Sequence, residues 1–211
     1  MNLANKLTIL RVFLVPVFII FMAIDSFWTN IIALIVFCGA SITDYFDGKI
    51  ARSQNTITTF GIFLDPLADK LLVTSAFISF VGLYTLNVPA WMVICIISRE
   101  FIITGLRSIA ASQNVIIPAN MSGKVKTTSQ MIAIITILVI LIINAALLKF
   151  APVTAYDLFD MQGLQKFIGW LLLKSPFWLM LITTILTLYS GFIYILDHKN
   201  ILMENNKKNN A

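Results

Sequence analysis

The chain has 211 residues, of which 59% are hydrophobic and 12% charged, and it carries a net charge of +5. A soluble domain of this length has no core large enough to hide that much apolar surface, and the apolar residues come in long, nearly charge-free runs rather than at the 3.6-residue spacing of a surface helix. The composition excludes a soluble domain and points to an all-α, multi-spanning membrane protein, whose excess of Lys and Arg reports topology and contact with anionic membrane lipid, not nucleic acid.

Six runs are long enough for the roughly 20 apolar residues that a span requires. They cover about 7–24, 29–52, 61–85, 89–111, 122–149 and 175–197. The first is not expected to be a cleaved signal, because the apolar run after Arg11 continues to about Ile24 with no A-x-A-like site following. Turn or interface chemistry separates the runs: Asp25-Ser26, Ser53-Gln54-Asn55, Asn87-Val88-Pro89 and Pro118-Ala119-Asn120. The longest connection, about 150–174, contains Pro152, Asp157, Asp160, Gly163 and Gly169, and its 167–173 portion with Trp170 reads as a short interfacial helix. Residues 1–200 are expected to form a single membrane domain, and the polar segment 201–211 a disordered tail. Cys38 and Cys95 fall inside spans as packing residues, and the only histidine, His198, sits at the end of the last span beside Lys199.

Orientation follows from the distribution of basic residues. With the N-terminus inside, Lys6, Arg11, Lys49, Arg52, Arg107, Lys124, Lys126, Lys199, Lys207 and Lys208 fall on the cytoplasmic side, against Lys149, Lys166 and Lys174 outside. That bias predicts a multi-pass protein of the cell membrane with both termini cytoplasmic.

Between the second and third runs lies "TDYFDGKIARSQNTITTFGIFLDPLADK", residues 43–70. Asp44 and Asp47 are three apart, and Asp65 and Asp69 four apart; on helices both spacings share a face. The connection Lys49–Phe60 lets the two helices run antiparallel, so that the pairs face each other at the cytoplasmic ends of helices 2 and 3. Two carboxylates 4 Å apart repel by about 4 kcal/mol at an effective dielectric of 20, so positive charge belongs between them. Oxygen ligands without Cys or His nearby point to Mg²⁺, Mn²⁺ or Ca²⁺ rather than to a structural zinc site, and four of them can hold two divalent ions. Gly48, Ala51 and Gly61, each one turn from an aspartate, leave room for a ligand at the helix backbone, although small residues also serve helix–helix packing in membranes. Arg52, one turn past Gly48, can clamp a phosphate or anchor at the interface.

The pattern Asp44-x2-Asp47-Gly48-x2-Ala51-Arg52-x8-Gly61-x3-Asp65-x3-Asp69 resembles, without departure, the signature of the CDP-alcohol phosphotransferases. Eight fixed positions over 26 residues are far more specific than a lone pair of aspartates, and chain length and the expected six spans agree. The resemblance implies an integral membrane enzyme that binds two divalent cations, Mg²⁺ or Mn²⁺, with these aspartates. Asp44 and Asp65 would touch both ions, Asp47 one and Asp69 the other, and Asp69 matches the proposed general base. By the same resemblance Gly48 and Arg52 match contacts to the nucleotide diphosphate, as does Thr58, and Asn5 and Thr8 match the N-terminal segment that contacts the nucleotide. It also implies a chain able to form a homodimer.

The alcohol acceptor is read from residues farther on. "SREFIITGLRS" contains Arg99, Glu100 and Arg107, and "SGKVKTTSQ" contains Lys124 and Lys126. A charge inside a span is a functional-site hypothesis by default. Against it stand pairing of Arg99 with Glu100 or the aspartates, and positive-inside anchoring of the other three. Together the four cations can converge as a phosphate pocket beside the metals, which favours a phosphorylated acceptor over choline, ethanolamine or serine. "REF…GLR" followed by "GKVKT" looks like the phosphatidylglycerophosphate-forming branch of the family. That implies CDP-diacylglycerol and sn-glycerol 3-phosphate as substrates. Other reactions within the family, forming cardiolipin, phosphatidylserine or phosphatidylinositol phosphate, are the alternatives. From other classes, a divalent-cation transporter is the rival, against which the sequence shows no paired discontinuous spans in two halves, and membrane prenyltransferases resemble longer chains with a different aspartate spacing.

Overall fold

A computed structural model describes the backbone of residues 3–54, 59–112 and 121–208, and the side chains of residues 9–43, 70–111 and 121–197. The described residues form seven α-helices, one short 3₁₀ turn and no strand. In chain order they are α1 (Leu3–Ile24), α2 (Phe27–Gln54), α3 (Thr59–Val81), the 3₁₀ turn Tyr84–Leu86, α4 (Ala90–Ser112), α5 (Met121–Phe150), α6 (Ala155–Asp160) and α7 (Leu164–Lys208).

The breaks use local chemistry. After α1, Asp25 takes a left-handed conformation with φ 44°, a region that Asp tolerates better than most side chains. Its Oδ1 accepts a hydrogen bond from buried Asn30 Nδ2 at 3.0 Å. The Ser26 backbone N–H donates to Thr29 Oγ1 at 2.8 Å, satisfying one orphan donor at the start of α2. The third helix ends at Val81, four residues short of the expected 85, because the Gly82 and Leu83 amides close back on Ser79 and Phe80 before the 3₁₀ turn. Asn87, with φ 49°, then leads through Val88-Pro89 into α4.

The segment 150–174 departs most from expectation. The chain forms α6, and the residues expected as a separate interfacial helix, 167–173, are instead the opening turns of α7, which continues through Pro176. Gly169 explains how α6 sits so close to α7: a Cβ there would come within 2.7 Å of Phe159 Cα. Helix α7 runs on to Lys208, into the segment 201–211 expected to be disordered.

A capping box starts α6. Asp157 Oδ2 accepts from the Thr154 amide and hydroxyl, both at 2.7 Å, and Thr154 Oγ1 accepts from the Asp157 amide at 3.1 Å. Those bonds hold the Asp157 carboxyl below its usual value, the Thr154 side chain contributing most. A depressed folded-state pKa stabilises above the unfolded value of about 3.9 and loses that stabilisation as pH falls through the folded one. Acidification below about pH 4 is therefore expected to fray α6 first, read as accelerated amide exchange over 155–160. Thr154→Ala should show the same fraying at neutral pH.

The helices gather into two compact units. The first comprises residues 1–87 and 134–176. In it α1 lies against both α2 and α3, with Phe18 and Phe37 rings 6.0 Å apart and Met22, Ala33, Phe77 and Phe80 buried. The second comprises residues 88–133 and 177–211, with α4, the start of α5 and most of α7. Its buried positions include Met92, Ile96, Ala133 and Met180, and also the polar Lys126, Gln130, Thr187 and Ser190.

Large apolar side chains remain exposed along the helices, Phe13, Ile35, Phe101 and Phe192 each by more than 60%. That exterior suits lipid, where helices satisfy their own backbone hydrogen bonds. Among the described residues, Met121–Phe150 and Leu164–Asp197 are long and apolar enough to cross a membrane. Shorter apolar stretches cover Ile9–Ile24, Phe27–Thr43 and Lys70–Val81.

Candidate functional site

The four aspartates occupy two helices of the first unit. Asp44 and Asp47 lie in the C-terminal third of α2, together with Gly48, Ala51 and Arg52. Asp65 and Asp69 lie in the first half of α3, after Gly61, and Asn5 and Thr8 lie in the first turns of α1. The α1 helix contacts α2 and α3, and α2 contacts α3, so one three-helix packing carries all these positions. Their side chains lie outside the described residues, and so does Thr58 altogether. The donor set itself is four carboxylates at helical spacing with no Cys or His in the same register. This chemistry fits hard, oxygen-seeking divalent cations. Arg11, one turn past Thr8 and counted from sequence among the cytoplasmic basic residues, is buried, with 3% of its surface exposed.

The predicted basic residues lie in the second unit, where their side chains are described. Lys126 of α5 is 6% exposed and forms an ion pair with Glu100 of α4. Arg99 stands 3.9 Å from the same carboxylate. Its Nη2 donates to Ser190 Oγ of α7 at 2.9 Å, while its buried Nε makes no hydrogen bond among the described residues. Arg107 is exposed, its guanidinium 5.4 Å from the centre of the Tyr194 ring, a cation–π distance. Lys124 is exposed on the first turn of α5. Gln130 Nε2 donates to Thr187 Oγ1 at 3.4 Å. The structure thus brings Arg99, Glu100 and Lys126 together, and it splits the four cations into an inner pair, Lys126 buried and Arg99 partly buried, and an outer exposed pair.

Sequence reasoning missed the α7 partners. Thr187, Ser190, Gly191 and Tyr194 follow the i, i+3, i+4, i+7 spacing of one helix face. Three polar residues and a glycine at that spacing within an apolar run were the available signal. A cavity of about 360 Å³ in the first unit, lined by Asp25, Phe27, Thr85, Asn144, Leu148 and Lys149 among others, lies elsewhere. It opens at the N-terminal end of α2, separated from Asp44 by roughly 25 Å of helix.

These features define an all-helical, membrane-bound class of protein with an acidic helix pair and a partly buried basic cluster. Residues 1–196 match the model of the CDP-alcohol phosphatidyltransferase family. The chain belongs to this family. It is 46% identical to a Bacillus subtilis protein named CDP-diacylglycerol–glycerol-3-phosphate 3-phosphatidyltransferase, over 65% of this chain and 76% of that one. Proteins of the same name from Salmonella paratyphi A and Rickettsia felis are 40% and 41% identical; each match spans 63% of this chain, and 74% and 72% of the relative.

Proposed function

We propose that the chain transfers the phosphatidyl group of CDP-diacylglycerol to sn-glycerol 3-phosphate, giving phosphatidylglycerophosphate and CMP. The observation that carries this reading is the 40–46% identity to proteins named for that reaction. The family signature stands complete across α2 and α3 beside it. Asp44, Asp47, Asp65 and Asp69 would hold two divalent cations, Mg²⁺ or Mn²⁺. When bound, these neutralise the diphosphate and stabilise the departing CMP.

The chain's own groups do the rest. Gly48, Ala51 and Gly61 leave space for the diphosphate against helix backbone, and Arg52, Thr58, Asn5 and Thr8 bind the CDP end. Asp69 accepts the proton of the acceptor's primary hydroxyl as its oxygen attacks the lipid-bearing phosphorus. The bond from that phosphorus to the CMP oxygen breaks, and its electron pair leaves with CMP. Displacement of this kind asks mainly for positioning and charge. Arg99, Arg107, Lys124 and Lys126 bind the acceptor's phosphate, with the exposed Arg107 and Lys124 as its outer contacts.

We read the protein as a six-span protein of the cell membrane with cytoplasmic termini and active site, able to form a homodimer. The supporting observations are the ten-to-three bias of basic residues and the apolar exterior of the helices. A substrate with tails in lipid and head in water suits carboxylates at the membrane edge.

The test is CMP release by purified protein in detergent, with CDP-diacylglycerol, Mg²⁺ or Mn²⁺, and one acceptor at a time. Release requiring both metal and glycerol 3-phosphate supports the proposal. Release only with serine, inositol 1-phosphate or phosphatidylglycerol moves the chain to another branch of the family. With the correct acceptor, Arg107→Ala and Lys124→Ala are each expected to raise the KM for glycerol 3-phosphate about tenfold, the loss of one charge-assisted hydrogen bond. Both should leave the KM for CDP-diacylglycerol in place. Unchanged acceptor kinetics in both variants would remove these residues from the phosphate site.

A further inference from the structure

The polar face of α7 has no role in the reading above. Thr187, Ser190 and Tyr194 are at most 3% exposed, and Gly191 between them is buried. The outward residues Ile182, Ile185, Leu188 and Phe192 are exposed and apolar. A helix that is apolar on its outer side has no packing need for hydroxyls on its inner one, since burying a polar group is favourable only with a partner. The partners are the basic residues of α4 and a glutamine of α5.

Ser190 takes the Arg99 Nη2 hydrogen bond. Gly191 makes that contact sterically open: a Cβ at position 191 would lie 2.8 Å from Arg99 Cγ and 3.1 Å from its Nε. The arginine stem thus crosses α7 at a residue without a side chain. One turn on, the Tyr194 ring carries the Arg107 guanidinium. Both arginines are accordingly held from α7, and among the described residues the Arg99 Nε has no hydrogen-bond partner.

The geometry points to Ser190, Gly191 and Tyr194 as positioning residues for the acceptor's phosphate, with α7 fixing Arg99 and Arg107 in one arrangement before the acceptor arrives. The inference rests on the proposed assignment of those arginines to a phosphate-bearing acceptor. Preorganised donors spend less ordering entropy on binding, so releasing them should cost acceptor affinity and leave the lipid substrate's site intact.

Gly191→Ala is the sharpest test, because alanine is the better helix former and the added Cβ would lie 2.8 Å from Arg99 Cγ, so that the arginine stem must move. The variant should keep its helical fold in detergent, with the KM for glycerol 3-phosphate raised about tenfold and the KM for CDP-diacylglycerol unchanged. Tyr194→Leu, which loses the ring face, should show the same split, and Tyr194→Phe, which keeps it, should remain close to wild type. Unchanged acceptor KM in both Gly191→Ala and Tyr194→Leu overturns the inference. So does a lowered melting temperature with both KM values altered, which would assign these residues to packing. Wild-type protein that releases CMP with no phosphorylated acceptor would instead defeat the proposed reaction, a failure visible before any variant is made.

Discussion

Asp69→Asn is expected to reduce CMP release by about 10²–10⁴-fold while leaving the protein folded and monodisperse. Asparagine matches aspartate in size but has no carboxylate to accept the acceptor's proton, and general-base catalysis typically contributes that range. Asp69 is also one of the four proposed cation ligands, so the variant should need more Mg²⁺ or Mn²⁺ for its residual activity. Helical circular dichroism and size-exclusion behaviour serve as the folding controls. Activity above a tenth of wild type at saturating metal would take the base assignment away from Asp69. Its position in α3, one turn after Asp65, would then carry only a ligand role.

Lys126→Ala should destabilise the protein by about 3–5 kcal/mol, the cost of stripping one partner from a buried pair. The side chains of Lys126 and Glu100 are only 7% and 16% exposed, so the remaining carboxylate has little water to turn to. Replacing both charges at once, as Lys126→Met with Glu100→Gln, should recover part of the loss, because the unpaired carboxylate is gone although Arg99, 3.9 Å from it, also loses that partner. Thermal unfolding in detergent reads the stability, and acceptor kinetics of the double variant read the second role. A double variant with partly restored stability and a still-raised KM for glycerol 3-phosphate places Lys126 at the phosphate as well as at Glu100. Recovery of both confines Lys126 to the ion pair.

The same contrast makes Arg107 and Lys124 better probes of acceptor binding than Lys126. Both are exposed, and truncating an exposed cation has small effects on stability beyond its lost partner contacts. From sequence, Arg107, Lys124 and Lys126 were equivalent, and pairing with Glu100 was weighed for Arg99 alone. Burial separates them, because a cation that is 6% exposed cannot be removed without a folding penalty.

Much of the helical layout was readable from hydropathy and turn residues. The predicted runs 29–52, 89–111 and 122–149 fall inside α2, α4 and α5 nearly end to end. Such boundaries are local matters of propensity, caps and charge. Two others were not. The end of α3 at Val81 depends on Gly82 and Leu83 folding back within an apolar sequence, where hydropathy does not change. The last span was expected to start at about 175, after a connection carrying Pro152, Asp157, Asp160, Gly163 and Gly169, yet the helix begins at Leu164 and runs through Pro176. The residue before a proline disfavours helix only as a tendency, and the contact of α6 with Gly169 holds the preceding turns in helical form.

The candidate site divides in the same way. Sequence by itself determined the family signature, with its four aspartates, and the positions of the basic residues, because these are matters of residue type at short helical spacing. Tertiary structure alone decided which cation is neutralised and which is held. Lys126 meets Glu100 across two helices, and Arg99 meets Ser190 from 91 residues away. No period in the chain encodes those meetings; they arise because buried charges and hydroxyls must find partners once the apolar faces have packed.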